Sequence, residues 1–367
     1  MKIACVVLQS RNALSENRFF AITDTFGLHG YAFEELRILI ETDEKAVLSA
    51  LSALKEEYNC ILLLCSRTAL HLAKQYRSLA FPEGIYQGGM DGTGIYDNQK
   101  SVWMLLTIED TIKDKTYIEE TVIPYLKRHE GGRREQFVLR AVGAHEAHLE
   151  RLFAEARNRA GNQISCHHVR NHGEYIIQIS YDETASKMLV DDIVRLFVDG
   201  LGECIYALEN ITLEEQLVRL LKLRGRKLSI AESFTGGGVA RRIVSVAGAS
   251  EVYFEGLNTY NEHSKIKRLG VSDFTLQTRG VVSDEVAYEM ATGLLDTGDC
   301  DISIATTGFA GPSTGRSMLP VGLCYIAIGL KERVFVYRYK FDGTRDEITE
   351  TAINYALFLA YKQLKDQ

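Results

Sequence analysis

Residues 227–246 read KLSIAESFTGGGVARRIVSV, and the prediction of the fold of the C-terminal part of the chain starts from this stretch. The apolar run KLSIA predicts a buried strand, and VARRIVSV predicts a helix. Ser233, Thr235 and the glycines 236–238 lie between them, so free N–H groups at the start of the helix are expected to face the same crevice as the Ser233 hydroxyl. The stretch therefore predicts a turn that can hold an anion or an oxyanion.

From Thr212 onward the chain continues this alternation of strands and helices. Thr212 and Glu215 predict a capping box before the helix LEEQLVRLLKLRG, and Thr344 and Glu347 predict a second one before the last helix. Further strands are predicted at VYFEGLNTY, DISIAT, VGLCYIAIGL and RVFVYRYKF, and further helices at HSKIKRL, DEVAYEMATGLL and DEITETAINYALFLAYKQL. Residues 212–367 are therefore predicted to form an α/β domain.

Two further domains are predicted upstream, since 367 residues exceed what one hydrophobic core usually organises. In residues 1–135, runs such as IACVVL, KAVLSALSALKEEY and CILLLC predict a parallel α/β sheet covered by helices. YQGGMDGTGIYD is predicted to be a glycine-rich loop, and HEGGRREQ a linker. In residues 136–211 the order β-α-β-β-α-β predicts a small α+β domain of split-βαβ or KH-like topology. Its loop ARNRAGNQ lacks the G-x-x-G clamp of RNA-binding KH domains.

The composition favours a small-molecule partner and argues against nucleic acid. The net charge is −7, whereas proteins that follow a phosphate backbone need clustered Lys and Arg. The start MKIACVVLQS predicts a first strand and not a secretion signal, and no apolar run has the roughly 18 residues of a membrane span. The seven cysteines form no C-x-x-C pair, which argues against disulfides and zinc. We therefore expect a cytoplasmic protein without membrane contact.

Several polar side chains follow predicted strands of residues 212–367. Tyr260 ends the strand VYFEGLNTY, and Lys265 lies near the start of the next helix. Thr307 ends the strand DISIAT and precedes the glycines of GFAGPS, and Arg345 lies at the start of the last helix. The carboxyl ends of strands are where open α/β sheets bind their ligands. These residues and Ser233 are therefore predicted to share one crevice.

Each of these residues alone also has a purely structural explanation. Ser233 or Thr235 can cap a helix, Tyr260 can belong to the core, and Lys265 can be a solvated surface lysine. Thr307 and the glycines after it can form only a turn. It is their convergence at strand ends that favours a functional site.

Several motifs of this domain occur together in a known family. AESFTGGGVARRI, GLNTYNEHSKIKRLGV, GVVSDEVAYEMATG, ATTGFAGPS, PVG and FDGTR, in this order, resemble the C-terminal domain of the CinA family, the competence-damage-inducible proteins. The resemblance implies nicotinamide mononucleotide deamidase activity, which hydrolyses the carboxamide to a carboxylate and releases ammonia. In that family a molybdopterin-binding-like domain and a KH-like domain precede the deamidase domain, and residues 1–211 fit this layout.

The resemblance also implies roles for the residues of the crevice. Ser233 is the expected nucleophile, with Lys265 taking its proton, through Tyr260 or directly, and Thr307 bonding to substrate or nucleophile. Amides near Gly236 and Gly237 are expected to stabilise the oxyanion. The predicted site has four catalytic residues: Ser233, Tyr260, Lys265 and Thr307. The predicted substrate-binding residues are Thr235, Gly236, Gly237, Gly308, Gly311 and Arg345, of which Arg345 suits a phosphate. No metal and no cofactor is expected, and a homodimer is expected.

The chain departs from the family pattern at three places. Phe234 stands where the family's ESCTGG motif has cysteine, and its larger ring is expected to narrow the pocket or to alter the substrate. The loop STGRSMLPVG is less glycine-rich than usual. After CILLLC the family has a GGLGPT-type phosphate loop that belongs to an ADP-ribose pyrophosphatase site, but this chain reads SRTALHLAKQ. The alternatives are accordingly a pyrophosphatase-related protein with a degenerate first domain, or a nucleotide-binding scaffold without turnover.

Two groups of histidines invite a metal-site interpretation. His145 and His148 are three residues apart, whereas the zincin motif needs four and a glutamate, so an exposed helix face is predicted. Cys166, His167 and His168 are adjacent in a predicted strand, where neighbours point to opposite faces, and His172 follows in the turn. Neither group is predicted to bind metal.

Overall fold

The computed structural model describes residues 1–9, 19, 22–23, 25–27, 29–88, 93–107, 115–129, 135–161, 163–314 and 318–366. The chain divides into two compact units. The first contains Met1–Gln136, Gln163–Ser165 and Ser180–Lys187, and the second contains Phe137–Asn162, Cys166–Ile179 and Met188–Gln367. The division into three domains at 135/136 and 211/212 stays a prediction.

The first unit is built on a six-stranded sheet with the order β2-β1-β3-β6-β5-β4. The strands are β1 (Ile3–Gln9), β2 (Phe33–Ile40), β3 (Cys60–Cys65), β4 (Ile85–Gln87), β5 (Gly94–Asp97) and β6 (Val102–Thr107), and the helices are α1 (Glu44–Glu57), α2 (Leu70–Ala80) and α3 (Ile123–His129), preceded by a π-helical turn at Ile118–Val122. Strands β2, β1, β3 and β6 are parallel, as predicted, and β5 and β4 are antiparallel additions.

The glycine-rich segment YQGGMDGTGIYD is not simply a loop. Its two ends belong to β4 and β5, which pair with each other, while residues 89–92 lie outside the described residues. The segment is rich in glycine, and its two short strands are held by pairing, β5 with β6 and β4 with β5, which a local pattern does not show. Most of the predicted linker HEGGRREQ, residues 130–134, also lies outside the described residues.

The predicted β-α-β-β-α-β order is confirmed in the next segment. It consists of β7 (Glu135–Val142), α4 (Glu146–Ala160), β8 (Ile164–Asn171), β9 (Glu174–Tyr181), α5 (Lys187–Leu201) and β10 (Ile205–Ala207). The sheet order is β10-β7-β9-β8. The connection from β7 to β8 therefore passes β9 through the helix α4, and the connection from β9 to β10 passes β7 through the helix α5. The loop ARNRAGNQ begins as the last turns of α4, and residue 162 is outside the described residues.

The C-terminal segment forms a five-stranded sheet with the order β12-β11-β13-β14-β15. Its elements are α6 (Leu213–Arg224), β11 (Leu228–Glu232), α7 (Gly238–Val244), β12 (Tyr253–Asn258), α8 (Glu262–Leu269), α9 (Asp273–Arg279), α10 (Asp284–Leu295), β13 (Ile302–Gly308), β14 (Leu323–Leu330), β15 (Arg333–Lys340) and α11 (Arg345–Lys365). Strands β12, β11 and β13 are parallel, and β14 and β15 are antiparallel. The predicted elements are confirmed, and the short helix α9 is an addition that the sequence did not predict.

Both faces of this sheet are covered, which explains why β11 is apolar on every residue before Glu232 except Ser229. Ile230 packs with α6, α7 and α11, for example against Val239 and Leu357. Ala231 points to the other face, where α10 supplies Met290. The strand is thereby fixed on both sides, and the turn that follows it has a rigid base.

The two predicted capping boxes are both present. The Glu215 amide donates to Thr212 Oγ1 over 3.4 Å, and the Thr212 amide donates to Glu215 Oε2 over 2.8 Å. The corresponding distances between Glu347 and Thr344 are 3.3 and 2.7 Å. The second box fixes the start of α11 at Arg345. Among the described helices, none is long and apolar enough to cross a membrane.

Candidate active site

The turn after β11 carries Ser233 to the carboxyl edge of the sheet. The Ser233 amide donates to the Thr306 carbonyl of β13 over 3.1 Å, which continues the parallel pairing one residue beyond the strand. Gly237 caps the helix α7 with a φ of 95°, a conformation that glycine adopts without strain. Neither Ser233 nor Thr235 caps the helix through its side chain, so the capping explanation of these residues does not apply.

Lys265 meets Ser233 directly. Its Nζ lies 2.9 Å from Ser233 Oγ and 2.6 Å from the Thr259 carbonyl oxygen, to which it donates. The residue sits on α8 and is only 1% exposed, so it is not a solvated surface lysine. Burial lowers the pKa of Lys265 from its ordinary value of 10.5 to about 8, against a smaller raising effect of the Glu262 carboxylate. A lysine in this state is a suitable base for a serine hydroxyl.

A cavity of about 230 Å³ opens beside this pair. It is lined by seven of the predicted site residues: Ser233, Tyr260, Lys265, Thr307, Gly308, Gly311 and Arg345. The remaining lining residues are Phe234, Glu262, Val281, Val282, Phe309, Ala310 and Ser313. The cavity thus has a polar floor at Ser233 and an apolar wall.

Tyr260 and Arg345 lie together at the rim. Tyr260 is 64% exposed, so it is neither a core residue nor buried between Ser233 and Lys265. Arg345 donates from Nη1 to the Gly311 carbonyl over 2.6 Å and from Nη2 to the Tyr260 hydroxyl over 3.4 Å. The proton relay from Ser233 through Tyr260 that the sequence left open is therefore not present, because Lys265 contacts the serine itself.

Thr307 lies at the end of β13 and lines the cavity. Its hydroxyl donates to the Val281 carbonyl over 2.7 Å, so its proton is already engaged. The oxygen keeps lone pairs that can accept a hydrogen bond. Thr307 is thus placed to accept from an N–H group of a ligand rather than to donate to an oxyanion.

Three predicted substrate-binding residues do not reach the cavity. Thr235 Oγ1 is buried and lies 2.7 Å from Thr306 Oγ1. The Gly236 amide donates to the Ser233 carbonyl over 3.1 Å, and the Gly237 amide donates to Glu232 Oε2 over 3.0 Å. These amides hold the turn together, so in this conformation they are not available to an oxyanion as the sequence had predicted.

Comparison with known proteins shows to which family the chain belongs. The family model of the CinA C-terminal domain matches residues 210–364. The CinA-like protein of Kosmotoga olearia is 33% identical over 285 residues, which are 75% of this chain and 68% of that protein. The chain belongs to the CinA family.

Two further proteins of this family match over smaller parts of the chain. A protein of Caldicellulosiruptor saccharolyticus named as competence-damage inducible is 38% identical over 248 residues, and these are 67% of this chain and 60% of that protein. The present chain therefore spans less than two thirds of the length of that relative. A crystal structure of a CinA superfamily protein from Klebsiella pneumoniae is 30% identical, covers 42% of this chain and 97% of that one, and has a TM-score of 0.41.

Phe234, the residue that departs from the CinA pattern, lines the cavity. The ring is buried in an apolar cluster with Ala310, Cys324, Ile348 and Ala352. It leaves little room at Gly308, where an added Cβ would come 3.0 Å from the ring and 2.6 Å from Cys324 Cβ. The glycine is therefore required by close packing, first against Cys324 and then against Phe234, and a bulkier residue there would displace the wall of the cavity.

The sequence interpretation missed two acidic residues of this CinA-family site. Glu232 directly precedes Ser233, and Glu262 lies one helical turn before Lys265 on α8. The position of Glu232 shortly before a predicted helix was a usable signal, because a carboxylate is stabilised by the unsatisfied N–H groups at the start of a helix. For Glu262 the three-residue spacing to a lysine was the only signal.

The histidines outside this site show no metal-binding arrangement. Within the described ranges, no group of three or more His, Cys, Asp and Glu side chains is placed to hold an ion. His145 is exposed and precedes α4, but His148 is half-buried, with Nε2 2.8 Å from the Gly200 carbonyl. The prediction of an exposed helix face is thus wrong for His148, which packs toward α5.

Proposed function

We propose that the C-terminal domain hydrolyses the carboxamide of nicotinamide mononucleotide to the carboxylate and releases ammonia. One observation carries the proposal: a buried lysine with a pKa lowered to about 8 lies 2.9 Å from a serine hydroxyl at the floor of a cavity. A neutral amine at this distance can remove the serine proton, which makes the oxygen nucleophilic. CinA family membership supports the choice of substrate.

In the first step Ser233 Oγ attacks the carboxamide carbon while Lys265 Nζ takes the hydroxyl proton. A C–O bond forms, the carbonyl π electrons move to the oxygen, and the lysine becomes an ammonium. In the second step the tetrahedral intermediate collapses, the C–N bond breaks, and the ammonium proton passes to the leaving nitrogen to give ammonia. Water then hydrolyses the acyl-serine by the same sequence, with Lys265 as its base.

We assign stabilisation of the oxyanion to the amide of Phe234. This amide directly follows the nucleophile, which is the usual position of an oxyanion donor at a serine placed on a strand-to-helix turn. Phe234 lines the cavity together with Ser233, whereas the amides of Gly236 and Gly237 donate within the turn. Thr307, with its proton given to Val281, suits the carboxamide NH₂ as an acceptor.

The phosphate of the nucleotide is assigned to the rim. Arg345 is exposed at the cavity mouth and held by Gly311 and Tyr260, so that its guanidinium is oriented before a ligand arrives. A guanidinium forms paired hydrogen bonds with phosphate oxygens. Tyr260 accordingly acts with Arg345 in binding, and not with Lys265 in proton transfer.

For the assembly we propose a homodimer that binds no nucleic acid. The support is the layout of residues 1–211 before the deamidase domain. A molar mass near twice 41.2 kDa by light scattering at micromolar concentration is expected, and a mass near 41.2 kDa would contradict the dimer.

The activity is tested with the purified full chain and nicotinamide mononucleotide. Ammonia and nicotinic acid mononucleotide are expected in equal amounts, and the Ser233→Ala variant is expected to produce neither. Release of nicotinamide instead of ammonia would show that the glycosidic bond is cleaved, and the deamidase proposal would then be abandoned.

A further inference from the structure

The side chain of Glu232 occupies the position where a ligand anion would be expected. Its carboxylate accepts hydrogen bonds from three amides at the start of α7, those of Gly237 at 3.0 Å, Val239 at 3.1 Å and Ala240 at 2.8 Å. The residue is 2% exposed. The free amides of a helix start attract anions, and here the protein supplies its own.

The backbone of Glu232 connects to the other half of the catalytic pair. Its carbonyl accepts from the Thr259 amide over 2.7 Å, and the Thr259 carbonyl in turn accepts from Lys265 Nζ over 2.6 Å. The residue next along the chain is Ser233, whose Oγ is 2.9 Å from the same Nζ. Glu232 therefore connects the turn that carries Ser233 with the Thr259 carbonyl that orients Lys265.

We infer that Glu232 is the positioning residue of this site: its carboxylate serves as a built-in anion that closes the turn 233–237 and holds Ser233 against Lys265. The inference rests on the proposed deamidase function for its consequence in turnover. Glu232 does not line the cavity, so it acts through the turn and not on the substrate. Small displacements of a nucleophile reduce rates strongly, by about 100-fold for about 1 Å.

A second consequence concerns the orientation of the substrate. Because the amides of α7 are filled by Glu232, the phosphate of a nucleotide has no place at the glycine turn. The phosphate is therefore assigned to Arg345, which lines the same cavity and contacts Gly311 and Tyr260. The carboxamide is then the end of the molecule that reaches Ser233.

The experiment uses Glu232→Ala in the full chain, with and without added formate. Removal of the side chain leaves a space lined by three N–H donors, which a small carboxylate can enter. We expect kcat to fall about 100-fold with KM nearly unchanged, and formate at tens of millimolar to restore a tenfold or larger part of it. Wild-type kcat in Glu232→Ala, or a loss that formate leaves unchanged in a folded variant, would overturn the inference.

Two further variants separate positioning from general destabilisation. Glu232→Gln keeps the shape but offers one acceptor oxygen and turns an NH₂ toward N–H donors, so kcat is expected to fall without any response to formate. It also serves if Glu232→Ala does not fold, because wild-type kcat in Glu232→Gln would overturn the inference as well. Glu214→Ala is the matched control: this buried carboxylate pairs with Arg242 at 2.6 Å in the same domain, and its loss is expected to lower Tm and leave kcat unchanged.

A fluorophosphonate probe distinguishes failure of this inference from failure of the deamidase proposal. The probe forms an O–P bond with an activated serine and loses fluoride, and its rate is measured by mass spectrometry at Ser233. If wild type is labelled but does not hydrolyse nicotinamide mononucleotide, the proposed substrate is rejected. The positioning role of Glu232 still holds in that case if Glu232→Ala is labelled slowly and formate restores the labelling rate. Equal labelling of both proteins, or no labelling of wild type, would reject the positioning role.

Discussion

Strands β3 and β11 occupy comparable places in their sheets, but their carboxyl ends differ in what they bury. Each is a buried strand with parallel neighbours on both sides and a helix after it. After β3 the polar groups are satisfied locally, with Ser66 Oγ 2.8 Å from Thr68 Oγ1 and His71 exposed. At the end of β11 the chain buries Glu232, the last residue of the strand, and Ser233, the first residue after it, and Lys265 is buried beside Ser233.

This difference between the two strand ends indicates which of them carries a functional site. Burying an ionisable group costs free energy unless it is paired, and the lowered pKa of Lys265 is the direct expression of that cost. No such group is found at the end of β3, where the described side chains are neutral or exposed. The strand end that retains an unfavourable buried lysine is the one that we assign to catalysis.

The largest expected effect comes from removing the nucleophile. Ser233→Ala is expected to lower kcat by about three orders of magnitude or more, because no other hydroxyl lies at the Lys265 amine in the described structure. Binding of the nucleotide, measured by calorimetry, is expected to persist. Ammonia release by this variant at nearly the wild-type rate would contradict the assignment of catalysis to Ser233 at the end of β11.

The second effect tests whether Lys265 and Ser233 act as a unit. Lys265→Met should lower kcat nearly as much as Ser233→Ala, and the double variant should be little worse than either single one, since a base has nothing to activate without its nucleophile. Steady-state kinetics of the three variants measure the coupling. Additive losses would mean that the 2.9 Å contact is not used in turnover.

The third effect is the pH dependence that follows from burial at the β11 end. Lys265 is active as a base only when neutral, and its pKa is lowered to about 8, so kcat/KM is expected to rise with pH and to level off above about 8. At pH 6 it should be about 100-fold below the plateau, from the two-unit distance to the pKa. A flat profile between pH 6 and 9 would argue against a lysine base.

Glu262 supplies a control for this profile. Its carboxylate raises the pKa of Lys265, so Glu262→Gln is expected to move the midpoint of the kcat/KM profile to lower pH. The profile should still rise with pH and then level off. A shift to higher pH would contradict the assignment of the midpoint to Lys265.

A smaller effect is expected at the rim. Arg345→Ala should raise KM about tenfold or more and change kcat little, because a phosphate contact made equally in the ground and transition states contributes uniform binding. Arg338→Ala, an exposed arginine of β15 outside the cavity, is the matched control and should change neither constant. An Arg345→Ala variant that loses kcat with unchanged KM would place Arg345 in the chemical step.

The smallest expected effect concerns the β3 end. The full chain with ADP-ribose and Mg²⁺ or Mn²⁺ is expected to release no AMP, since SRTALHLAKQ forms a polar turn and the helix α2 without a glycine-rich phosphate loop. Chromatography of the nucleotides measures the product. Metal-dependent AMP release at a rate above the protein-free control would show that the first unit is also catalytic.

Much of the fold was predictable because local patterns agree with the tertiary structure. The apolar run of β11 and the box of Thr344 and Glu347 are local signals, and each element appears where it was predicted. The helix α9 and the pair of β4 and β5 were not predicted. Both are short and depend on packing or pairing with neighbours that are distant in sequence.

Which residues line the cavity was easier to predict from the sequence than which hydrogen bonds they form. The rule that ligands bind at the carboxyl ends of strands predicts that Ser233, Thr307 and Arg345 share one crevice, and all three line the cavity. The same rule gave Thr235, Gly236 and Gly237, which turn away from the cavity. A turn of five residues has too many conformations for a pattern to show which of its amides point outward.

The family, the order of most elements and the residue types that we propose for acyl transfer could be inferred from the amino-acid sequence. The fold was needed to show that Lys265 contacts Ser233 without Tyr260, that the Glu232 carboxylate binds the amides at the start of α7, and that burial lowers the pKa of Lys265. The physical reason is distance along the chain: Ser233 and Lys265 are 32 residues apart, and their contact depends on the order and register of β12, β11 and β13. Desolvation likewise arises only when helices cover both faces of the sheet.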